Sequence, residues 1–339
     1  MKNILVYCEF EDGLIGDVSL ELLSKGRKLA NQLNCRLEAA IIGANLKGVE
    51  KQVFPYGTDV IYMAEDARLE HFLNLPHSAI LQHIIRENNP QIVLFGATSV
   101  GRDIAPRVAS ALRCGLTADC TSLEIGDHYE KKSDTTYKDL LYQIRPAFGG
   151  NIVATIINPE MHPQMATVRE GVMKKEIVDA NFKGKIVKVE TEKILNDTDF
   201  VVKIIERHLE KSKVNIKNSG IIIAGGYGVG SKENFNLLFE LAALLGGEVG
   251  GSRAAVDAGY IEHERQIGQT GVTVRPKLYI ACGISGAIQH TAGMNESAMI
   301  ISINNDPHAP INQIADYVIN GEIADVVPKM IKFYKKNSK

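Results

Sequence analysis

The residues best suited to chemistry lie in the last third of the chain, in four polar turns, three of which carry glycine. The first reads Gly250-Gly251-Ser252-Arg253 and sets a hydroxyl and a guanidinium after small residues. The second is Gln266-Ile267-Gly268-Gln269-Thr270-Gly271. The third is Cys282-Gly283-Ile284-Ser285-Gly286-Ala287-Ile288-Gln289-His290, and the fourth begins Asn304-Asn305-Asp306. Glycines let a backbone approach a ligand closely, and hydroxyls, amides, one Arg and one His can hold its oxygens. That set suits a large, polar, phosphate-bearing cofactor. An earlier turn, Gly225-Gly226-Tyr227-Gly228-Val229-Gly230, follows an apolar run and precedes Ser231. Such a turn can seat a pyrophosphate against a helix N-terminus. Its spacing is not GxGxxG, however, and no acidic residue follows at a ribose-binding distance. Tight strand-to-helix packing accounts for these glycines equally well.

Taken singly, each residue has a plainer role. Arg253 reads first as a surface charge, and His290, opening a helix, as a capping or internally satisfied residue. Ser285 in G-I-S-G-A is not a G-x-S-x-G nucleophile elbow. His263-Glu264 lacks the second His of H-E-x-x-H, so a zinc protease is not supported. No carboxylate pair stands out. The residues point to a cofactor-binding domain without a catalytic acid or base.

The elements that must position these turns alternate between strand and helix. Asn3 to Tyr7, Arg36 to Ile42, Asp59 to Met63 and Ile92 to Phe95 read as strands. Ser19 to Leu33 has helical apolar spacing, and Ala79 to Glu87 and Gly101 to Leu112 are further helices. From about Asp119 to Arg169 the pattern changes. Leu140 to Arg145 and Asn151 to Ile157 read as paired strands around Gly149-Gly150, extending or edging the first sheet. A charged stretch from Ile186 to Lys217 then leads to a domain boundary expected near Lys211 to Asn218. Beyond it the alternation restarts, with strands at Gly220 to Ala224, Leu278 to Ala281, Met299 to Ile303 and Tyr317 to Ile319. Ser231 caps a helix expected over Lys232 to Leu245, ended by Gly246-Gly247, and Val326 to Tyr334 closes the fold. The fold class is α/β in two domains, residues 1–211 and 218–339. Each has a mostly parallel sheet flanked by helices, and the second is doubly wound. In such a sheet the strand-following loops open on one edge, where ligands bind.

Composition excludes several classes. The chain has 339 residues, 45% hydrophobic and 23% charged, with a formal charge of -2. No global field draws it to nucleic acid or to an anionic membrane. Its longest apolar runs are strand-sized, far short of the roughly 20 residues of a membrane span, and no signal peptide is visible. The five cysteines are scattered, with no CxxC pair. An iron–sulfur or zinc site is therefore not expected, and a reducing cytoplasm fits best.

Ser252 to Gly259, Gln266 to Gly271 and Leu278 to His290, continued by Asn304 to Pro310 and Ala315-Asp316-Tyr317, strongly resemble the C-terminal domain of electron-transfer flavoprotein alpha subunits, the FixB-like large subunits. Phe95 to Asp103, Gly115 to Cys120 and Arg145 to Ile152 look like the same family's N-terminal domain. The resemblance implies a C-terminal FAD-binding domain and an N-terminal domain that contacts a beta subunit. Ser252, Arg253, Ile267, Gly268, Gln269 and Thr270 match positions around the isoalloxazine ring. Ser285, Gly286, Ala287, Ile288, Gln289 and His290 match the loop and helix start beside the flavin. Asn304, and less closely Glu322, match the adenosine end. Arg253 and Thr270 are expected near the reactive ring edge, and His290 near the pyrimidine carbonyl. Two positions depart from the pattern: Tyr227 stands where many relatives have Arg, and Glu170 where relatives often have Pro.

The function this implies is an electron carrier, not a substrate-converting enzyme by itself. Its partners would be the beta subunit, in a heterodimer, and an acyl-CoA dehydrogenase or reductase of an anaerobic system. NADH and, in bifurcating relatives, ferredoxin would be reached through the complex. The alternatives are a stand-alone nucleotide-dependent oxidoreductase, for which neither an acid/base nor a substrate pocket is evident, and a nucleotide-binding regulatory module.

Overall fold

The computed structural model describes residues 3–146, 153–207 and 216–337. The chain divides into two compact units, Met1–Arg207 and His208–Lys339. The boundary expected at Lys211 to Asn218 falls largely outside the described residues, as does the segment Ala147 to Ile152.

The first unit runs β1 (Ile4–Cys8), β2 (Phe10–Glu11), β3 (Leu14–Ile15), α1 (Asp17–Leu33), β4 (Leu37–Gly43), α2 (Glu50–Val53), β5 (Val60–Glu65), α3 (Asn74–Asn88), β6 (Ile92–Gly96), α4 (Ser99–Leu112) and β7 (Leu116–Cys120). It continues through β8 (Ser122–Glu130), β9 (Thr135–Pro146), β10 (Val153–Ile156), β11 (Gln164–Val168) and β12 (Lys185–Lys188). Seven strands form one sheet in the order β12-β5-β4-β1-β6-β11-β7. Every pairing in it is parallel. Side chains alternate across β1, so Ile4, Val6 and Cys8 enter one apolar cluster while Leu5 and Tyr7 enter the other. Both faces are thus covered, which is why β1 and β6 are apolar throughout and lack alternation.

Two expectations change here. The strands read at Leu140 to Arg145 and Asn151 to Ile157 do not extend the first sheet. They belong to β9 and β10, which form a separate antiparallel sheet in the order β10-β9-β8. β9 is its central strand, so its backbone groups are taken up by its own neighbours. Part of the charged stretch beginning at Ile186 is also a strand. β12 pairs in parallel with β5, and its lysines suit the edge of a sheet.

The second unit runs β13 (Ile221–Gly225), α5 (Lys232–Leu245), β14 (Glu248–Gly251), α6 (Arg253–Asp257), β15 (Leu278–Cys282), α7 (Ile288–Thr291), β16 (Ile300–Asn304), β17 (Tyr317–Asn320) and α8 (Ile323–Asn337). Its sheet order is β14-β13-β15-β16-β17, all parallel. The helix α5 starts where the Ser231 hydroxyl accepts from the Asn234 N–H at 3.2 Å and stops at Gly246, whose φ is 69°. Only the left-handed region supplies that stop, and glycine enters it without a Cβ penalty. Apolar clusters again cover both faces of the sheet. No helix among the described residues is long and apolar enough to cross a membrane, and no cluster of metal-ligating side chains occurs among them.

Candidate functional site

In the second unit β14 lies on one side of β13, while β15, β16 and β17 follow on the other. The strand order thus reverses between β13 and β15, and a crevice opens at the carboxyl ends of these strands. A cavity of about 700 Å³ lies there, well within the roughly 300–1,000 Å³ of small-molecule and cofactor sites.

Backbone approach shapes its floor. The Gly226 N–H donates to the Cys282 carbonyl at 2.8 Å, and the Gly228 N–H to the Gly283 carbonyl at 3.1 Å. A Cβ on Gly226 would stand 2.1 Å from the Gly283 oxygen, so no other residue fits without moving a backbone. Gly268 sits at φ 141°, where a Cβ would also meet the Gln289 carbonyl at 2.7 Å. Gly226 and Gly228 of the Gly225–Gly230 turn thus serve close packing between two loops, and through it they line the cavity.

Polar groups converge on the walls. Ser252 is the N-cap of α6, its hydroxyl accepting from the Ala255 N–H at 3.3 Å. Its own N–H donates to the Gly225 carbonyl at 2.9 Å, which ties the end of β14 to β13. Arg253 follows with its guanidinium exposed and Nε 3.4 Å from the Asp257 carboxylate. The Gln266 amide donates to the Thr270 hydroxyl at 2.9 Å, leaving that hydroxyl's own hydrogen to serve as a donor. Asn304 is buried at the end of β16, where Nδ2 donates to the Ile284 carbonyl and Oδ1 accepts from the Asp306 N–H.

His290 is buried and fully occupied. Its Nδ1 lies 3.1 Å from the Ile267 carbonyl, which can only accept, so Nδ1 carries the proton. Its Nε2, 2.9 Å from the Tyr279 hydroxyl, is then an acceptor. Burial pushes the imidazole down to about 4 from its usual 6.5, despite the carbonyl bond that favours the charged form. The ring is neutral at ordinary pH.

Ten of the residues singled out in the sequence line the cavity: Ser252, Arg253, Ile267, Gly268, Thr270, Ser285, Ala287, Gln289, His290 and Asn304. Gln269, Gly286, Ile288 and Glu322 are not on its wall. Gln269 meets its neighbours through its backbone, donating to the Gln289 carbonyl at 2.6 Å. Gly286 turns the chain at φ 88° beside Ile311, and Glu322 accepts from the Asn305 amide at 3.0 Å. Tyr227, Gln266 and Asp306, which stand in the Gly-rich and polar turns noted in the sequence, also line the cavity, as does Asp257, which no sequence pattern marked. Their place depends on strand order, which no local pattern carries.

A doubly wound sheet with a cofactor-sized cavity at its order reversal defines a nucleotide-cofactor-binding unit. The wall chemistry fits FAD, with a guanidinium, a free hydroxyl donor and glycine backbone all within one crevice. Residues 4–194 match the family model described as electron transfer flavoprotein domain, and residues 215–295 match the electron transfer flavoprotein FAD-binding domain. The chain is 44% identical over 336 residues to the electron transfer flavoprotein subunit alpha of Thermoanaerobacterium thermosaccharolyticum, covering 99% of this chain and 98% of that one. It is 48% identical to Protein FixB of Clostridium saccharobutylicum, covering 97% and 95%. It is 38% identical to the acryloyl-CoA reductase electron transfer subunit beta of Anaerotignum propionicum, covering 99% and 96%. The chain belongs to the electron transfer flavoprotein family, in its alpha-subunit or FixB branch, and its cofactor is FAD.

Proposed function

We propose that this chain is the FAD-carrying half of a cytoplasmic heterodimer with a beta subunit, and that the dimer exchanges electrons with an acyl-CoA dehydrogenase or reductase. The observation that carries this reading is a coincidence of place: the FAD-binding match at residues 215–295 falls on the unit that holds the cavity. The acyl-CoA partner is supported by the relative whose name includes acryloyl-CoA reductase. NADH and ferredoxin, reached through the complex, are the further partners that the family resemblance implies. Five free cysteines suit a reducing compartment.

Within the site, FAD supplies the redox chemistry and the protein supplies binding, orientation and charge. The exposed Arg253 guanidinium, permanently charged, sets a positive potential on the rim. The Thr270 hydroxyl offers a directed hydrogen-bond donor. No described residue on the wall is poised to move a proton to or from a carbon substrate. Asp257 is paired with Arg253, Asp306 accepts from the His308 N–H at 2.9 Å, and His290 has both nitrogens engaged. An electron carrier needs no such group, whereas a stand-alone dehydrogenase acting at carbon does.

The test is to purify the chain alone and with a co-expressed beta subunit, then record absorbance and mass. A one-to-one complex with a flavin spectrum is expected. A soluble monomer that retains full FAD without a partner would overturn the heterodimer, and a colourless complex would overturn the cofactor assignment.

A further inference from the structure

The turn that crosses the cavity wall beside β14 has its backbone pinned at every step. Gly251 and Gln266 pair as an isolated parallel bridge, and the Ile267 N–H donates to the Gly251 carbonyl at 2.8 Å. The Gln266 N–H donates to the His263 carbonyl at 3.0 Å, and the Gln266 carbonyl accepts from the Val272 N–H at 2.7 Å. The Gly271 N–H closes the turn on the Gly268 carbonyl at 3.1 Å, which leaves Gln269 and Thr270 at its tip. Gln266 is buried although it carries an amide, whereas Thr270 is exposed. Both line the cavity.

An exposed threonine hydroxyl ordinarily rotates to suit whatever lies near it. This one is held. Gln266 Nε2 lies 2.9 Å from Thr270 Oγ1, and an amide N–H can only donate. The hydroxyl hydrogen is thereby kept off Gln266, and among the described residues no acceptor takes it, so it is left for the cavity. A carboxylate of the same shape would accept that hydrogen and turn lone pairs to the cavity instead. The polarity of Thr270 thus depends on one atom of Gln266.

We propose that Gln266 is a positioning residue: its amide fixes the Thr270 hydroxyl as a hydrogen-bond donor to the redox ring of the cofactor. Placement supports the ring as the acceptor. Gln266 is bridged to Gly251, the residue before Ser252-Arg253, so Thr270 and Arg253 share the β14 end of the cavity. Arg253 is the one cationic side chain among the described residues of the wall, since His290 is neutral. Asp306 lies beyond β16, three strands from β14, which is roughly 14 Å away at ordinary strand spacing. A ring that gains negative charge on reduction belongs beside the guanidinium and away from that carboxylate. A donor already oriented there stabilises the added charge with no reorganisation. The inference rests on FAD being the ligand of this cavity.

The experiment uses the complete FAD-loaded complex in four forms: wild type, Gln266→Met, Thr270→Val and the double variant. Anaerobic reductive titration reads the ratio of reduced to oxidised flavin at a fixed reference potential. Thr270→Val should lower that ratio about 2- to 12-fold, the span of one net hydrogen bond. Gln266→Met, of similar length and without charge or donor, should lower it by a smaller factor, because the hydroxyl then rotates freely. In the Thr270→Val background Gln266→Met should change nothing further, since no hydroxyl is left to position. A merely structural glutamine would instead give two losses that add, and that result would overturn the proposal. An unchanged ratio in Gln266→Met alone would overturn it as well. Gln266→Asn, whose amide falls short of Thr270, takes the place of Gln266→Met in the same cycle if that variant does not load FAD. A wild-type complex without flavin would overturn the cofactor assignment itself, a failure distinct from either of these.

Discussion

The Tyr279 hydroxyl donates to Nε2 of His290 at 2.9 Å, inside the wall of the cofactor cavity. Both groups are buried, and the imidazole's other nitrogen is committed to the Ile267 carbonyl. This pair therefore positions the Gln266–Gly271 turn against α7, and it presents no charge to the cofactor. Removing the hydroxyl by Tyr279→Phe leaves Nε2 buried without a donor, which costs about 1–3 kcal/mol. Urea titration of the variant should show the loss as a lower midpoint with an unchanged slope. An unchanged midpoint would mean that the hydroxyl contributes nothing.

Arg253 and Asp257 should act on the bound flavin with opposite signs. The guanidinium stabilises negative charge that appears on reduction, and the carboxylate 3.4 Å away offsets part of that effect. Arg253→Ala should lower the two-electron potential by about 30 mV, the low end for a charged contact because the group is exposed. Arg253→Lys should recover part of it, since ammonium keeps the charge but lacks the planar fork. Asp257→Asn should raise the potential. Anaerobic reductive titration followed by absorbance reads all three, and equal potentials throughout would remove Arg253 from the flavin's surroundings.

Gly226→Ala places a methyl group 2.1 Å from the Gly283 oxygen. One of the two loops must move, at a cost of about 1–3 kcal/mol for overpacking. The variant should purify with substoichiometric FAD and unfold at a lower temperature. Gly220→Ala is the control, because a Cβ there meets nothing within 4 Å. Full FAD occupancy in Gly226→Ala would show that the floor of the cavity is softer than its contacts imply.

Acid should destabilise the second unit through His290. In the first unit His77 acts in the same direction, but Glu9, which burial pushes up to about 7, takes up its proton in the folded state and opposes it. His77 in the first unit and His290 in the second are each pushed down to about 4 by burial, with a backbone carbonyl bond opposing the shift in both. Folded, both rings stay neutral to near pH 4; unfolded, they take up protons below about 6.5. The unfolded chain therefore binds more protons in that window, and stability present above pH 6.5 is lost as pH falls toward 4. Each ring contributes on the order of 3 kcal/mol at the acid end. Melting of the second unit followed at pH 7.5, 5.5 and 4.5 should occur at steadily lower temperature, and His290→Gln should flatten the fall. A pH-independent profile would mean the rings are solvated.

The parts of this fold that were legible in the sequence are those specified locally. The helix Lys232–Leu245 was read to the residue because Ser231 caps its start and Gly246 its end. The strand Glu248–Gly251 has no mark in the sequence, because Gly250 and Gly251 lack the side chains that signal strands and read as part of a turn. The hairpin at Leu140 to Arg145 was recognised as a pairing, but local pairing cannot say which sheet a strand joins. The candidate site shows the same division. Ser252, Thr270 and Ser285 stood out as hydroxyls in glycine turns. Asp257 did not, since only the order β14-β13-β15-β16 brings its helix to the crevice that the other loops form.

The contact between Gly226 and Gly283 has a consequence for the thermodynamics of loading. The loops after β13 and β15 are locked backbone to backbone, so neither has to be ordered when the cofactor arrives. The conformational entropy of these loops is surrendered during folding of the chain, not during ligand capture. Association at this edge of the sheet should resemble insertion into a rigid mould. Calorimetry would then show a heat-capacity change set by buried surface, with no added contribution from coupled ordering.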